Sequence, residues 1–323
     1  MRVTIASALT VALSVLLPAS ASTESYPSRT VSVVVPFPAG GSVDGVARIL
    51  VQKLNETVGQ HFIVENRPGG ASGTVGANAV AKAPADGYTL LLSASVHVIN
   101  PFLYKSVPYD VVSDFTPVSL LADGPLIVST TPSVPAANLK DFFDLVRKEP
   151  QKYTFGTTSI GSASHLAIEL LKRDAGLDTL VVAYKGTAPA LTDLMSGQIQ
   201  LLADPMLSSL PLARSGKIKA LGLTSLKRAA SAPEIPTVEE SGVKGFEFVS
   251  WYGLWGPKSL PADVAAKLQA DVAKVLALPD VKERLNTLGF EPIGLNGEQF
   301  AAYIRTEMAK YEKIITDAKI KAE

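Results

Sequence analysis

The stretch 33–50, VVVPFPAGGSVDGVARIL, is a β-branched run, a proline/glycine turn and an amphipathic segment in immediate succession. The same order of strand, glycine-bearing turn and helix recurs along the chain, and this constrains the fold more than any other feature. Strands joined by crossover helices must run parallel, in a sheet covered on both faces, which is α/β architecture. Periodicity and turn chemistry predict strands at 31–35, 62–65, 89–93, 126–130, 153–156, 179–183, 199–203, 220–224 and 248–255. They predict helices at 43–58, 73–83, 139–148, 164–174, 189–196, 261–277, 280–288 and 297–318. In the last helix Phe300, Ile304, Met308, Tyr311 and Ile315 recur every three or four residues, one apolar stripe. Residues 228–246, rich in Pro, Glu, Ser and Gly, read as a long connection. The chain's 323 residues exceed one ordinary core and suit two.

Residues 1–21 stand apart. Arg2 precedes an apolar run through Leu17, then Pro18 and Ala19-Ser20-Ala21. This is the pattern of a secretory signal peptide, cleaved after Ala21. The run of about 15 apolar residues is shorter than the roughly 20 a membrane span needs. No cysteine occurs, which excludes disulfides, thiolate metal sites, a cysteine nucleophile and a lipid-modified N-terminal cysteine. Thirty basic and thirty acidic residues cancel, so no global field attracts nucleic acid or an acidic membrane. Any charged ligand must be recognised locally.

Ligands of parallel sheets bind where strand-to-helix loops gather. Here those loops are Phe37–Ser42, Ser93–Ser95, Thr157–Ser164 and Tyr184–Ala188, with Pro68–Thr74 leading into a further helix. All are rich in Gly, Ser and Thr and poor in Arg, Lys and His. Glycine allows close backbone approach, hydroxyls cap helix starts, and free amides at a helix start suit a carboxylate or phosphate. Asp44 falls in the first turn of the first helix, where it complements the dipole and should point away from a bound anion. Asp204, in IQLLADP, ends a strand; it either caps a turn or faces a cationic group on a ligand. Tyr184, Trp251 and Tyr252 are candidates to support an aromatic ligand, or are packing.

Enzyme chemistries find little footing. The three histidines, His61, His97 and His165, show no metal-ligand spacing, so neither a metal nor a cofactor is expected. There is no G-x-S-x-G elbow and no P-loop, and GASGTVG at 70–76 is not the dinucleotide fingerprint. No paired carboxylates suit glycosidase chemistry. A hydrolase using Ser162 or Ser164 with His165 is the enzymatic alternative, although a local capping role suits His165 better.

Seven segments in order carry a likeness: YPSRTVSVVVPFPAGGSVDGVAR, VENRPGGASGTVGANAVAKAPADGYTLLL, NPFLYKSVPYDVVSDFTPVSLL, GSASHLAIELL, AYKGTAPALTDLMSGQI, GKIKALGLTS and IPTVEESGVKGFEFVSWYGLWGPKSLP. Together they resemble the substrate-binding proteins of tripartite tricarboxylate transporters, the Bug (Bordetella uptake gene) family, over essentially the whole mature chain. The resemblance implies an α/β two-domain periplasmic binding protein, a type II-like Venus flytrap with two crossover strands at the hinge. Its domains would be 26–122 plus 225–323, and 123–224, hinged near 123–125 and 223–225. The ligand would be a small carboxylate: a di- or tricarboxylate, an acidic amino acid or an aromatic acid. Its binding residues would be Phe37, Ala39, Gly40, Gly41 and Ser42 from one domain, joined by Ser95 from the loop after the third strand on the strand-end reading above. The other would supply Thr157, Ser159, Gly161, Ser162, Ser164, Gly186, Thr187, Ala188 and Asp204, with Asp204 able to meet a ligand amine. The usual second loop is closer to S-x-G-x-G-S, and here it is TTSIGS at 157–162. The implied partners are permease subunits of the transporter; a ligand-sensing role with a membrane sensor kinase is the alternative.

Overall fold

The computed structural model describes residues 26–321, so the leader expected at 1–21 lies outside the described residues. Parallel strands β1 (Val31–Val35), β2 (Phe62–Asn66) and β3 (Thr89–Ala94) are linked by helices α1 (Ser42–Val58) and α2 (Thr74–Ala81). Helix α3 (Val96–Leu103) follows β3 and leads to β4 (Phe115–Thr130), a strand of 16 residues. Then come α4 (Leu139–Lys148), β5 (Thr154–Thr157), α5 (Ala163–Ala175), β6 (Leu180–Ala183), α6 (Thr187–Ser196), β7 (Leu201–Pro205), α7 (Met206–Arg214) and β8 (Lys219–Leu223). The chain closes with β9 (Val249–Pro257), α8 (Ala262–Ala277), α9 (Pro279–Thr287), β10 (Glu291–Asn296) and α10 (Gly297–Asp317).

The strands run in the order β2-β1-β3-β9-β4-β7-β5-β6, with β8 and β10 also paired to β4. Strand β4 belongs to two half-sheets. Through Pro125 it pairs antiparallel with β9 and β10; from Leu126 it pairs antiparallel with β7 and β8. A second crossing runs beside it. The Thr224 hydroxyl accepts the Leu126 N–H at 2.8 Å, the Thr224 N–H donates to the Leu126 carbonyl at 3.0 Å, and the Phe248 N–H donates to the Thr224 carbonyl at 2.8 Å.

The first half of β4 is absent from the expected strand list because Asp123-Gly124-Pro125 reads as a turn. Pairing overrides that signal. Asp123 stands opposite both Trp251 and Glu291, and Pro125 opposite Val249. Gly124 is required by close approach, since a Cβ there would lie 2.7 Å from the Gly289 carbonyl oxygen. Two further helices, α3 and α7, went unpredicted because each contains a proline, Pro101 and Pro211. Each proline sits in the last half of a short helix and costs it one internal hydrogen bond. The stripe on α10 buries Phe300, Ile304, Tyr311 and Ile315 and half-buries Met308. Its start is a capping box, with Asn296 and Gln299 exchanging side-chain-to-backbone bonds at 3.0 and 3.2 Å. Phe300 packs at 5.0 Å from Trp255 and 5.7 Å from Trp251, all three wholly buried. Each such side chain stabilises the fold by about 2–3 kcal/mol. The long connection holds its course through Ala229, Ala232 and Ile235, which pack on Ile127, Leu210 and Leu223.

Candidate ligand-binding site

Six strands, β1, β2, β3, β5, β6 and β7, each lead into a helix whose start borders one cavity of about 910 Å³. The first half-sheet contributes Phe37–Val43, the Pro68–Gly73 turn, Ala94–Val96, Ser250 and Tyr252. The second contributes Thr158, Ser159, Ser162–Ser164, Lys185–Pro189, Pro205 and Ser208. Among the described residues, Lys185 is the one charged residue of this lining.

The helix starts are mostly bare. Of the six, only α5 is capped by a side chain, Ser162 accepting the His165 N–H at 3.2 Å; α1, α2, α3, α6 and α7 have no side-chain cap. A helix leaves its first backbone N–H groups without internal acceptors, and the aligned peptides give that end partial positive charge. Uncapped starts around a crevice therefore offer donors and a favourable potential to an anion without a guanidinium. Gly186 begins α6 at φ +122°, a conformation that a side chain disfavours.

The Phe37–Ser42 turn is held from behind. Asp44 accepts from the Gly40 N–H at 2.9 Å, the Arg48 Nε at 2.7 Å and the Asn66 amide at 3.0 Å, while Asn66 also donates to the Phe37 carbonyl at 3.0 Å. Asp44 is nearly buried and does not border the cavity, in keeping with the expectation that it turns away. Burial alone would raise its carboxyl, but the bonds from Arg48, Gly40 and Asn66 outweigh that and hold it below the ordinary carboxylate value.

Twelve of the fifteen expected residues border the cavity: Phe37, Ala39, Gly40, Gly41, Ser42, Ser95, Ser159, Ser162, Ser164, Gly186, Thr187 and Ala188. The other three stand behind its wall. The Thr157 hydroxyl lies 3.3 Å from the Ser159 carbonyl and from the Ser162 hydroxyl. Gly161 donates its N–H to His165 Nδ1 at 3.0 Å and its turn packs against Leu103. Asp204 is wholly buried and accepts from the Thr187 and Ser209 hydroxyls, each at 3.0 Å. Ser95 is buried at the wall, and its hydroxyl has no protein partner.

Sequence reasoning left out Ser208, Ser250, Thr158, Lys185 and the Pro68–Gly73 turn as site residues. Ser208 sits in the first turn of α7, which a strand-end rule finds once that helix is known. Ser250 lies inside β9 rather than in a strand-to-helix loop, so no loop signal marks it. Of the aromatic candidates only Tyr252 borders the cavity. Burial pushes its phenol up to about 12 and keeps it neutral. Tyr184 is bonded to Asp193 at 2.7 Å, and the Trp251 indole donates to the Tyr311 hydroxyl at 2.8 Å.

The hydrolase alternative fails on geometry. The His165 imidazole takes the Gly161 N–H, while the Ser162 hydroxyl is engaged with the Ser159 carbonyl at 2.8 Å. Burial and then Lys172 pull His165 down to about 4, which makes it a poor base. His97 is sealed among Tyr109, Phe115 and Trp255, and burial lowers it to about 3.

The profile of a family described as "Tripartite tricarboxylate transporter family receptor" matches residues 46–320. A solved structure of the periplasmic binding protein BugD is 38% identical, with a TM-score of 0.82, over 92% of this chain and 100% of that one. An R. palustris protein solved with adipate is 36% identical, with a TM-score of 0.86, over 92% of this chain and 100% of its own. MatC from Rhodopseudomonas palustris, solved with bound malate, is 34% identical, with a TM-score of 0.79, over 90% and 100%.

Proposed function

We propose a function from this premise: the chain belongs to the tripartite tricarboxylate transporter receptor family, periplasmic solute-binding proteins rather than enzymes, with the two-domain flytrap fold. The proposed role is capture of a small carboxylate in the cavity and its delivery to the membrane subunits of a tripartite transporter. What carries the reading is the convergence of six helix starts, five without a side-chain cap, on a crevice with one charged lining residue. Dipoles and hydroxyls hold an anion without the bidentate grip of arginine, which suits a ligand that must be released. Malate and adipate, held by the two R. palustris proteins, define the chemical class to test first.

In this reading residues 26–122 with 225–323 form one lobe and 123–224 the other. The proposed hinge lies at 123–125 and 223–225, where β4 changes partners and Thr224 stitches the crossings together. Closure would bury the ligand between lobes and present a new surface to the permease, and the ligand must favour the closed state to drive it. The leader is proposed to be removed after Ala21 on export.

Thermal-shift titration with malate, succinate, citrate, adipate and benzoate tests the role. One or more should raise the unfolding midpoint in a dose-dependent way. Gly41→Val is the control. Its new Cβ meets nothing nearer than the Pro38 carbonyl oxygen at 3.8 Å, so the fold should persist, while the added branch intrudes on the α1 start. The variant should unfold within about 2 °C of the parent without ligand and lose the ligand-induced rise. A carboxylate-induced rise as large in Gly41→Val as in the parent would remove the α1 start from the site.

A further inference from the structure

Asp204 ends β7 between two helix starts that border the cavity. Its Oδ1 accepts the Thr187 hydroxyl of α6 and its Oδ2 accepts the Ser209 hydroxyl of α7, both at 3.0 Å. Ser208 of α7 lies beside it, Ile127 of β4 stands opposite in register, and the Tyr252 phenol of β9 feels its charge. Among the described residues no lysine, arginine or histidine pairs with it, and the carboxylate is wholly shielded from solvent. The chain thus keeps an acid without a counterion directly behind the wall where the proposed ligand places negative charge.

The hydrogen bonds follow from valence. An ionised carboxylate only accepts, so the Thr187 and Ser209 protons must both point at Asp204. Thr187, which borders the cavity, then presents lone pairs to it, and lone pairs repel a carboxylate. We propose that Asp204 is a proton-linked positioning residue, taking one proton from solvent onto Oδ1 as a carboxylate ligand binds. The new O–H donates to Thr187 Oγ1, and the Thr187 proton swings free to donate to the ligand. One proton gained behind the wall turns a cavity acceptor into a donor and removes a repelling charge. Burial pushes the Asp204 carboxyl up to about 6 even against the hydroxyls that pull it down, so the proton is available at mildly acidic pH.

This rests on the carboxylate-receptor reading, and the experiment separates the two. Malate and adipate are titrated calorimetrically into the full protein and into Asp204→Asn at about pH 6.5, in MES and in imidazole. The difference between buffers counts protons, and the difference between proteins cancels those carried by the ligand. The parent should take up roughly half a proton more than Asp204→Asn. Its affinity should fall about three- to tenfold between about pH 6 and about pH 7.5. The asparagine amide donates at all pH values, so Asp204→Asn should bind at about pH 7.5 as tightly as the parent does at about pH 6. Ser209→Ala, which removes one donor without altering the lining, should move the midpoint of the pH dependence upward. Equal proton counts in parent and Asp204→Asn, or an unmoved midpoint in Ser209→Ala, would overturn the inference alone. Failure of both acids to bind at any pH would overturn the carboxylate reading and the inference with it.

Discussion

Asp44 and Asp204 are two carboxylates of the same kind of place. Each is sequestered, at 3% and 0% exposure, and each is bonded to a segment that borders the cavity. Their surroundings differ in the donors they supply and in depth, Asp204 being the more deeply desolvated. Asp44 has Arg48 at 2.7 Å in addition to two neutral donors, whereas Asp204 has hydroxyls alone. Arg48 together with the Gly40 N–H and the Asn66 amide outweighs burial at Asp44, whereas burial outweighs the hydroxyls at Asp204. Asp44 is held below the ordinary carboxylate value and Asp204 is pushed up to about 6. At Asp204 the hydroxyl hydrogen bonds offset only part of the desolvation of the charge. One acid therefore holds the turn before α1 as a strut, and the other stands without a counterion behind the starts of α6 and α7.

The sharpest way to break this contrast is Asp44→Ala. It strands Arg48, the Gly40 N–H and the Asn66 amide, and urea unfolding at neutral pH should report a loss of about 2–3 kcal/mol. The native carboxyl lies below its unfolded value, so this contribution is present above about pH 4 and disappears as pH falls through the native value. A loss under about 0.5 kcal/mol would show that the strut bears no load.

The opposite sign is expected at Asp204. Its native carboxyl lies above the unfolded value of about 3.9, so ionisation opposes folding. The parent's stability from this group is complete below about pH 4 and declines as pH rises to about 6. Asp204→Asn removes that decline. Its stability relative to the parent should rise across this interval by about 2 kcal/mol, followed by urea unfolding at a series of pH values. A difference that does not change with pH would place Asp204 in the same class as Asp44. The smallest effect belongs to Ser95→Ala. The buried Ser95 hydroxyl has no protein partner to strand, so stability should change by less than about 1 kcal/mol. The carboxylate-induced rise in the unfolding midpoint should nevertheless shrink if that hydroxyl meets the ligand.

The same pair shows what a sequence discloses about a site. Loop membership was legible: Phe37–Ser42, Thr157–Ser164 and Gly186–Ala188 carry glycine and hydroxyls for a reason local to the turn, and all three turns reach one cavity. Which way a side chain faces was not. Thr157, Gly161 and Asp204 occupy the right turns and lie one layer behind. That depth depends on strand register and on tertiary partners such as Leu103 and Ser209. The fold's alternation was legible too, except where a local rule met a stronger tertiary one. Asp123-Gly124-Pro125 breaks an isolated strand yet is held in β4 by neighbours on both sides. Pro101 and Pro211 hid two helices whose first turns border the cavity.

Strand β4 has one more consequence. A single ribbon of 16 residues, whose register against β9 shifts at Val118 and Leu121 but not between Ala122 and Pro125, serves two half-sheets, so the phase of one wall is written into the other. Inserting or deleting one residue near Pro125 would reverse the alternation of every side chain downstream, sending inward groups of one wall outward. The 228–246 connection has no pleat to preserve and would absorb the same change. Length variation among natural versions of this chain should therefore collect in that connection and spare the ribbon, whatever solute each version carries.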